Sequence, residues 1–158
     1  MNIELPDADA TEALGGRLAE LLAPGPGGWL VTLDGSLGAG KTTLARGFLR
    51  ALGYSGRVPS PTYTLVEPYE VAAGNVYHVD LYRVASEDEL RYLGWSELDS
   101  GLRLVEWPDR APGILSEADL VLTLEYAGGG RSGRLEPLSP SGEAIIDRIQ
   151  AVTEPLDE

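Results

Sequence analysis

The chain has 158 residues, 25 acidic against 12 basic, for a formal net charge of −13, and no cysteine. That length suits one domain burying about two-thirds of its unfolded surface, and 43% hydrophobic with 23% charged residues is ordinary for a globular protein. The composition excludes disulfides and thiolate metal sites, and without a basic cluster to neutralise phosphates it argues against autonomous DNA or RNA binding.

The acidic excess serves either as a solubilising surface or as a face for a basic protein partner. The opening MNIELPDADA carries neither a basic nor an apolar leader region, and no apolar run approaches the ~20 residues that span a bilayer. The expectation is a soluble cytoplasmic protein with no membrane role, built as one domain over residues 1–152 with an acidic tail at 153–158.

In chain order, Asp9-Ala-Thr-Glu12 has capping-box spacing. Behind it Ala10, Leu14, Leu18, Leu21 and Leu22 recur at helical intervals, which predicts an amphipathic helix over 10–22. Pro24, Gly25, Pro26, Gly27 and Gly28 end it. Trp29 to Asp34 is a short apolar run suited to a buried strand, and Lys41 to Leu52 reads as a helix with Gly53 at its C-terminal cap. Tyr63–Tyr69 and Asn75–Tyr82, separated by Ala-Ala-Gly, predict a β-hairpin. Ser86-Glu-Asp-Glu89 is a second capping box, opening a short helix that stops at Gly94. Leu102 to Trp107 predicts a strand that carries a carboxylate, Glu106, just before Pro108. Asp119–Tyr126 and Arg131–Leu138, joined by three glycines, predict a second hairpin, and a helix over about 141–152 closes the chain. This mixed order predicts an α/β fold in three layers with a mixed, partly antiparallel sheet.

Between the first strand and its helix lies Gly35-x-x-x-x-Gly40-Lys41-Thr42, a phosphate-loop pattern filled at every position. Its glycines let successive backbone N–H groups turn inward as an anion cradle that runs on into the helix N-terminus. Thr42 supplies a hydroxyl for Mg²⁺, and Lys41 a compact ammonium for the β- and γ-phosphates of a nucleotide. Lys41 is also the single lysine beside 11 arginines. Lysine is a point charge on a thin stem where arginine is a wide planar fork, so its survival here marks a tight fit. The predicted nucleotide-binding set is Gly35, Ser36, Leu37, Gly38, Ala39, Gly40, Lys41, Thr42 and Thr43.

Such a loop needs a carboxylate at the end of a nearby strand. Val76 to Asp80 and Leu102 to Glu106 both end in one. Glu106, on the more apolar and so more central strand, is assigned to the metal, and Asp80 to the attacking water or a metal-bound water; either could touch the metal. Ser60-Pro-Thr62 reads equally as a switch element contacting the γ-phosphate and as an ordinary turn. His78, the only histidine, reads as packed or half-exposed rather than metal-binding. Trp107 reads as core or as a neighbour of the nucleotide, and Arg131 and Arg134 as solvated or phosphate-facing. No Asn-Lys-x-Asp guanine motif occurs.

Three stretches together, LDGSLGAGKTTLARGFLRALG, VPSPTYTLVEPY, and VYHVDLYR with LVEWP, resemble the TsaE (YjeE) family over nearly the whole chain from about Thr11. The resemblance implies a small bacterial ATPase of P-loop NTPase fold. It would be required for threonylcarbamoyladenosine formation at position 37 of tRNAs reading ANN codons. It also implies ATP and Mg²⁺ as ligands and the TsaB–TsaD complex as partner, with TsaD making the transfer and tRNA met only indirectly. Carried over by motif, Lys41 binds phosphate, Thr42 and Glu106 hold Mg²⁺, Asp80 is needed for hydrolysis, and Thr62 belongs to a switch-like loop. Thr11 and Arg131 match positions near the nucleotide. Ser36 departs from the family, which often carries Asp there, with little consequence expected. Two other readings are a stand-alone small-molecule kinase and a nucleotide-gated binding module with incidental hydrolysis.

Overall fold

A computed structural model describes residues 1–22 and 28–153. Among the described residues seven strands form one sheet: β1 (Asn2–Leu5), β2 (Leu30–Asp34), β3 (Val66–Val71), β4 (Gly74–Asp80), β5 (Leu102–Glu106), β6 (Leu120–Ala127) and β7 (Gly130–Pro137). Their order is β1-β7-β6-β2-β5-β4-β3. β6, β2, β5 and β4 run parallel at the centre, and the outer pairings β3–β4, β6–β7 and β1–β7 are antiparallel. The mixed sheet and both hairpins agree with the sequence reading.

The helices α1 (Ala8–Leu21), α2 (Lys41–Ala51) and α3 (Pro140–Thr153) cover one face. Leu18 of α1, Phe48 of α2 and Ile149 of α3 share a core with Val31, Leu33, Leu104 and Leu122 of the sheet. α1 and α2 approach until backbone meets backbone. A Cβ on Gly15 would lie 2.1 Å from the Leu44 carbonyl oxygen, and one on Gly47 2.0 Å from that of Glu12. The other face packs Leu30, Val79 and Val105 against Leu90, Leu98 and Ile114. These come from short 3₁₀ segments, Glu87–Leu93, Trp95–Ser100 and Pro112–Ser116. The third layer is therefore made of turns rather than α-helices.

Several boundaries differ from expectation. The cap of α1 is Asp7, not Asp9: Asp7 is extended and its carboxylate takes the Ala10 N–H at 2.8 Å. Glu12, freed from any capping box, pairs with Arg50 of α2 at 2.9 Å. β3 begins at Val66 rather than Tyr63, because Pro61–Leu65 closes a turn (Leu65 N–H to the Pro61 carbonyl, 2.8 Å) with Leu65 left-handed at φ 68°. The second predicted capping box does not form, because Glu89 reaches past Ser86 to the preceding residue. Glu89 accepts the Ala85 N–H at 2.9 Å, Ser86 makes no side-chain cap, and the segment is 3₁₀ up to Gly94, left-handed at φ 72°. β5 stops at Glu106, since Trp107 is left-handed at φ 59°. β1 had no sequence signal; it is four residues held by β7. The glycine-proline stop at 24–27 and all but the first residue of the acidic tail lie outside the described residues.

Candidate functional site

Strand register sets the geometry. Leu33 of β2 pairs with Glu106 of β5, and Glu106 with Asp80 of β4. Both carboxylates thus share one row at the C-terminal ends of parallel strands, where open α/β sheets receive ligands. The loop leaving β2 arrives at the same edge.

That loop is held in shape from within and from outside. Asp34 Oδ1 accepts the Gly35 N–H at 2.9 Å, and the Ala39 N–H closes a turn onto the Ser36 carbonyl at 3.1 Å. Gly38 and Gly40 take φ of 78° and 107°, values that side chains resist. Gly40 begins α2 with no side-chain cap, which leaves the first-turn amides for an anion. From outside, the β6–β7 hairpin braces the loop. Tyr126 donates its hydroxyl to the Leu37 carbonyl at 3.1 Å, and Arg131 a guanidinium N–H to that of Gly38 at 3.0 Å. The guanidinium lies 4.0 Å over the Tyr126 ring. Because a trans peptide sets N–H opposite C=O, holding the Leu37 carbonyl outward turns the Gly38 N–H inward.

Lys41 is 5% exposed. Its Nζ donates to the Gly35 carbonyl at 2.6 Å and lies 3.7 Å from the Trp107 ring centroid. Burial lowers its pKa below the ordinary lysine value, while the Glu106, Asp80, Asp34 and Asp109 carboxylates pull the other way. Asp80, 1% exposed, accepts the Tyr82 N–H at 2.8 Å and the Thr62 hydroxyl at 3.1 Å. Ser60 lies 2.8 Å from that hydroxyl. Burial raises the Asp80 carboxyl above the ordinary aspartate value, and the Glu106 carboxylate pushes the same way; the Tyr82 and Thr62 hydrogen bonds and Lys41 oppose both. Glu106 is 3% exposed and bonds to His78 Nε2 at 2.5 Å.

Lys41, Thr42, Thr43, Thr62, Asp80 and Glu106 line a single cleft of about 200 Å³ together with Leu37, Gly38 and Trp107. A second cleft, about 240 Å³, shares Gly38, Gly40 and Thr43 with the first and adds Thr11 and Arg131. The two meet over the loop. Gly35 contributes its carbonyl to Lys41, Ala39 is buried in the core, and Ser36 lines neither cleft. Arg134 stands apart, half-exposed beside Glu136. Sequence reasoning missed Tyr126 and the partnership of His78 with Glu106, because both are made by strand pairing; the alternation Val76, His78, Asp80 on β4 was the available hint.

The donor set is hard oxygen, hydroxyl plus carboxylate, which suits Mg²⁺. Among the described residues no group of three or more His, Asp or Glu side chains forms a metal cage. No helix among the described residues is long and apolar enough to cross a membrane.

A family model described as threonylcarbamoyl adenosine biosynthesis protein TsaE matches residues 5–134. A "tRNA threonylcarbamoyladenosine biosynthesis protein TsaE" of Haemophilus influenzae is 45% identical over 120 residues, covering 74% of this chain and 75% of its own length. One of the same name from Bacillus subtilis is 37% identical over 122 residues, covering 76% and 74%. Among solved structures, Bacillus subtilis YdiB superposes with a TM-score of 0.73 at 25% identity, over 98% of this chain and 95% of that one.

Proposed function

This chain belongs to the TsaE family, and from that premise we propose that it is a cytoplasmic Mg²⁺-dependent ATPase acting with the TsaB–TsaD complex in threonylcarbamoyladenosine formation on tRNA. The observation that carries the reading is the single cleft that gathers the loop, Lys41, Thr42, Thr62, Asp80 and Glu106 at the strand ends.

In this reading the triphosphate lies along the loop and the nucleoside extends into the second cleft, between Thr11 and Arg131. Inward amides and the Lys41 ammonium take up phosphate charge. The fit is close because that ammonium is already confined between the Gly35 carbonyl and Trp107. Thr42 and Glu106 hold Mg²⁺, which when bound withdraws charge from the phosphate oxygens. Asp80 holds the attacking water, while Thr62 and the Tyr82 N–H fix its carboxylate. Arg131, whose sequence reading left it solvated or phosphate-facing, donates to the Gly38 carbonyl and so acts on the ligand through the loop's shape.

Calorimetry on the full chain tests the reading. Wild type should take up Mg-ATP, Lys41→Ala should not, and Asp80→Asn should bind but release ADP at least about a hundredfold more slowly. Added TsaB–TsaD should accelerate ADP release by wild type. No uptake by well-folded wild type, alone or with the partners, would refute it; stoichiometric phosphorylation of a small acceptor would favour the kinase.

A further inference from the structure

His78 does not line the cleft, yet it is fully buried and its Nε2 lies 2.5 Å from Glu106 Oε2. Its other ring nitrogen, Nδ1, is buried without a hydrogen-bond partner among the described residues. A buried donor without an acceptor costs the desolvation of that group. The ring therefore carries its proton on Nε2, where the carboxylate receives it, and leaves Nδ1 as a bare lone pair. His78 and Glu106 sit diagonally on neighbouring parallel strands, since Leu104 pairs with His78 and Glu106 with Asp80.

We propose that His78 is a positioning residue for Glu106. Its Nε2–H engages one carboxylate oxygen and fixes the rotamer, so that the other oxygen is presented to the cleft. A glutamate side chain has three rotatable bonds, and without this partner it would have to be ordered whenever the ion binds. Histidine–carboxylate pairs behind metal ligands set orientation in this way, and their loss costs roughly 10–100-fold in metal affinity or activity. The inference rests on the Mg-ATP reading and adds to it a residue outside the ligand's reach.

The chain's only histidine is His78, so a long-range ¹H–¹⁵N spectrum of the nucleotide-free wild type reports its tautomer without ambiguity. Nε2 should be protonated and Nδ1 bare. His78→Leu keeps the bulk and removes the donor; His78→Gln keeps an N–H donor of similar reach. The Mg²⁺ concentration for half-maximal ATP uptake should rise about tenfold or more in His78→Leu and stay within about threefold of wild type in His78→Gln. ATP affinity in EDTA should be equal in all three. A proton on Nδ1, an unchanged Mg²⁺ requirement in His78→Leu, or equal defects in both variants would overturn the inference. The tautomer test holds even if a variant fails to fold. A wild type that takes up no Mg-ATP would instead overturn the underlying reading.

Discussion

Lys41 shows how a single side chain is chosen by its surroundings. Its ammonium fits between a carbonyl oxygen at 2.6 Å and an indole centroid at 3.7 Å, a slot for a point charge and not for a planar fork. Lys41→Arg preserves charge and should still lower Mg-ATP affinity by at least about a hundredfold, or ~2.7 kcal/mol. Titration calorimetry decides this; wild-type affinity in the arginine variant would show that the slot is not selective. Trp107 is held at the same place by a different constraint. Its left-handed backbone, φ 59° and ψ 55°, is a conformation costing about 1–3 kcal/mol. It turns the chain across Lys41, with the ring tilted on Tyr82 at 4.9 Å. Strain is tolerated here because the turn places the indole.

Among elements, the crossing of α1 and α2 has the least tolerance. Its tightest points are Gly15 of α1 and Gly47 of α2, and a methyl group on Gly47 would lie 2.0 Å from the Glu12 carbonyl oxygen, backbone that cannot rotate away. Gly47→Ala should therefore destabilise the protein by about 3 kcal/mol, the upper part of the overpacking range, even though alanine is the better helix former. Urea unfolding measures it, and a gain in stability would mean that the helices can separate at little cost. Because α2 begins at the phosphate loop, the same variant should weaken nucleotide uptake without touching the cleft. The β6–β7 hairpin plays the complementary part on the loop's other side, through Tyr126 and Arg131.

For the whole molecule, the decisive feature is the parallel centre of the sheet, which directs the ends of β2, β4 and β5 to one edge. Around it the surface is strongly acidic, with a net charge of −13 and few ion pairs among the described residues. Self-repulsion of this kind weakens the compact state and is screened by salt. The melting temperature of the nucleotide-free protein should rise by a few degrees between about 0.01 M and 0.5 M KCl, as the screening length falls from ~30 Å toward ~4 Å. A flat or falling curve in scanning calorimetry would show that acidic repulsion is not a significant term.

How much of this was legible beforehand depended on the range of the interaction. The phosphate loop, the helix behind it, both hairpins and the two strand-end acids are written in consecutive residues, because glycine spacing, alternation and caps act within a few positions. Even there a local signal misled where a nearer competitor existed: Asp7 could reach the Ala10 N–H, so Asp9 was not needed as a cap. The brace on the loop joins residues 89 and 93 positions apart, and His78 meets Glu106 across 28. β1 exists only because β7 offers it an edge. The sequence by itself determined which chemical groups are present and the local glycine-rich backbone between β2 and α2. Only the tertiary structure decided which of them meet, because strand order and register, set by burying the apolar face of each strand against its neighbours, bring together residues that no short-range pattern connects.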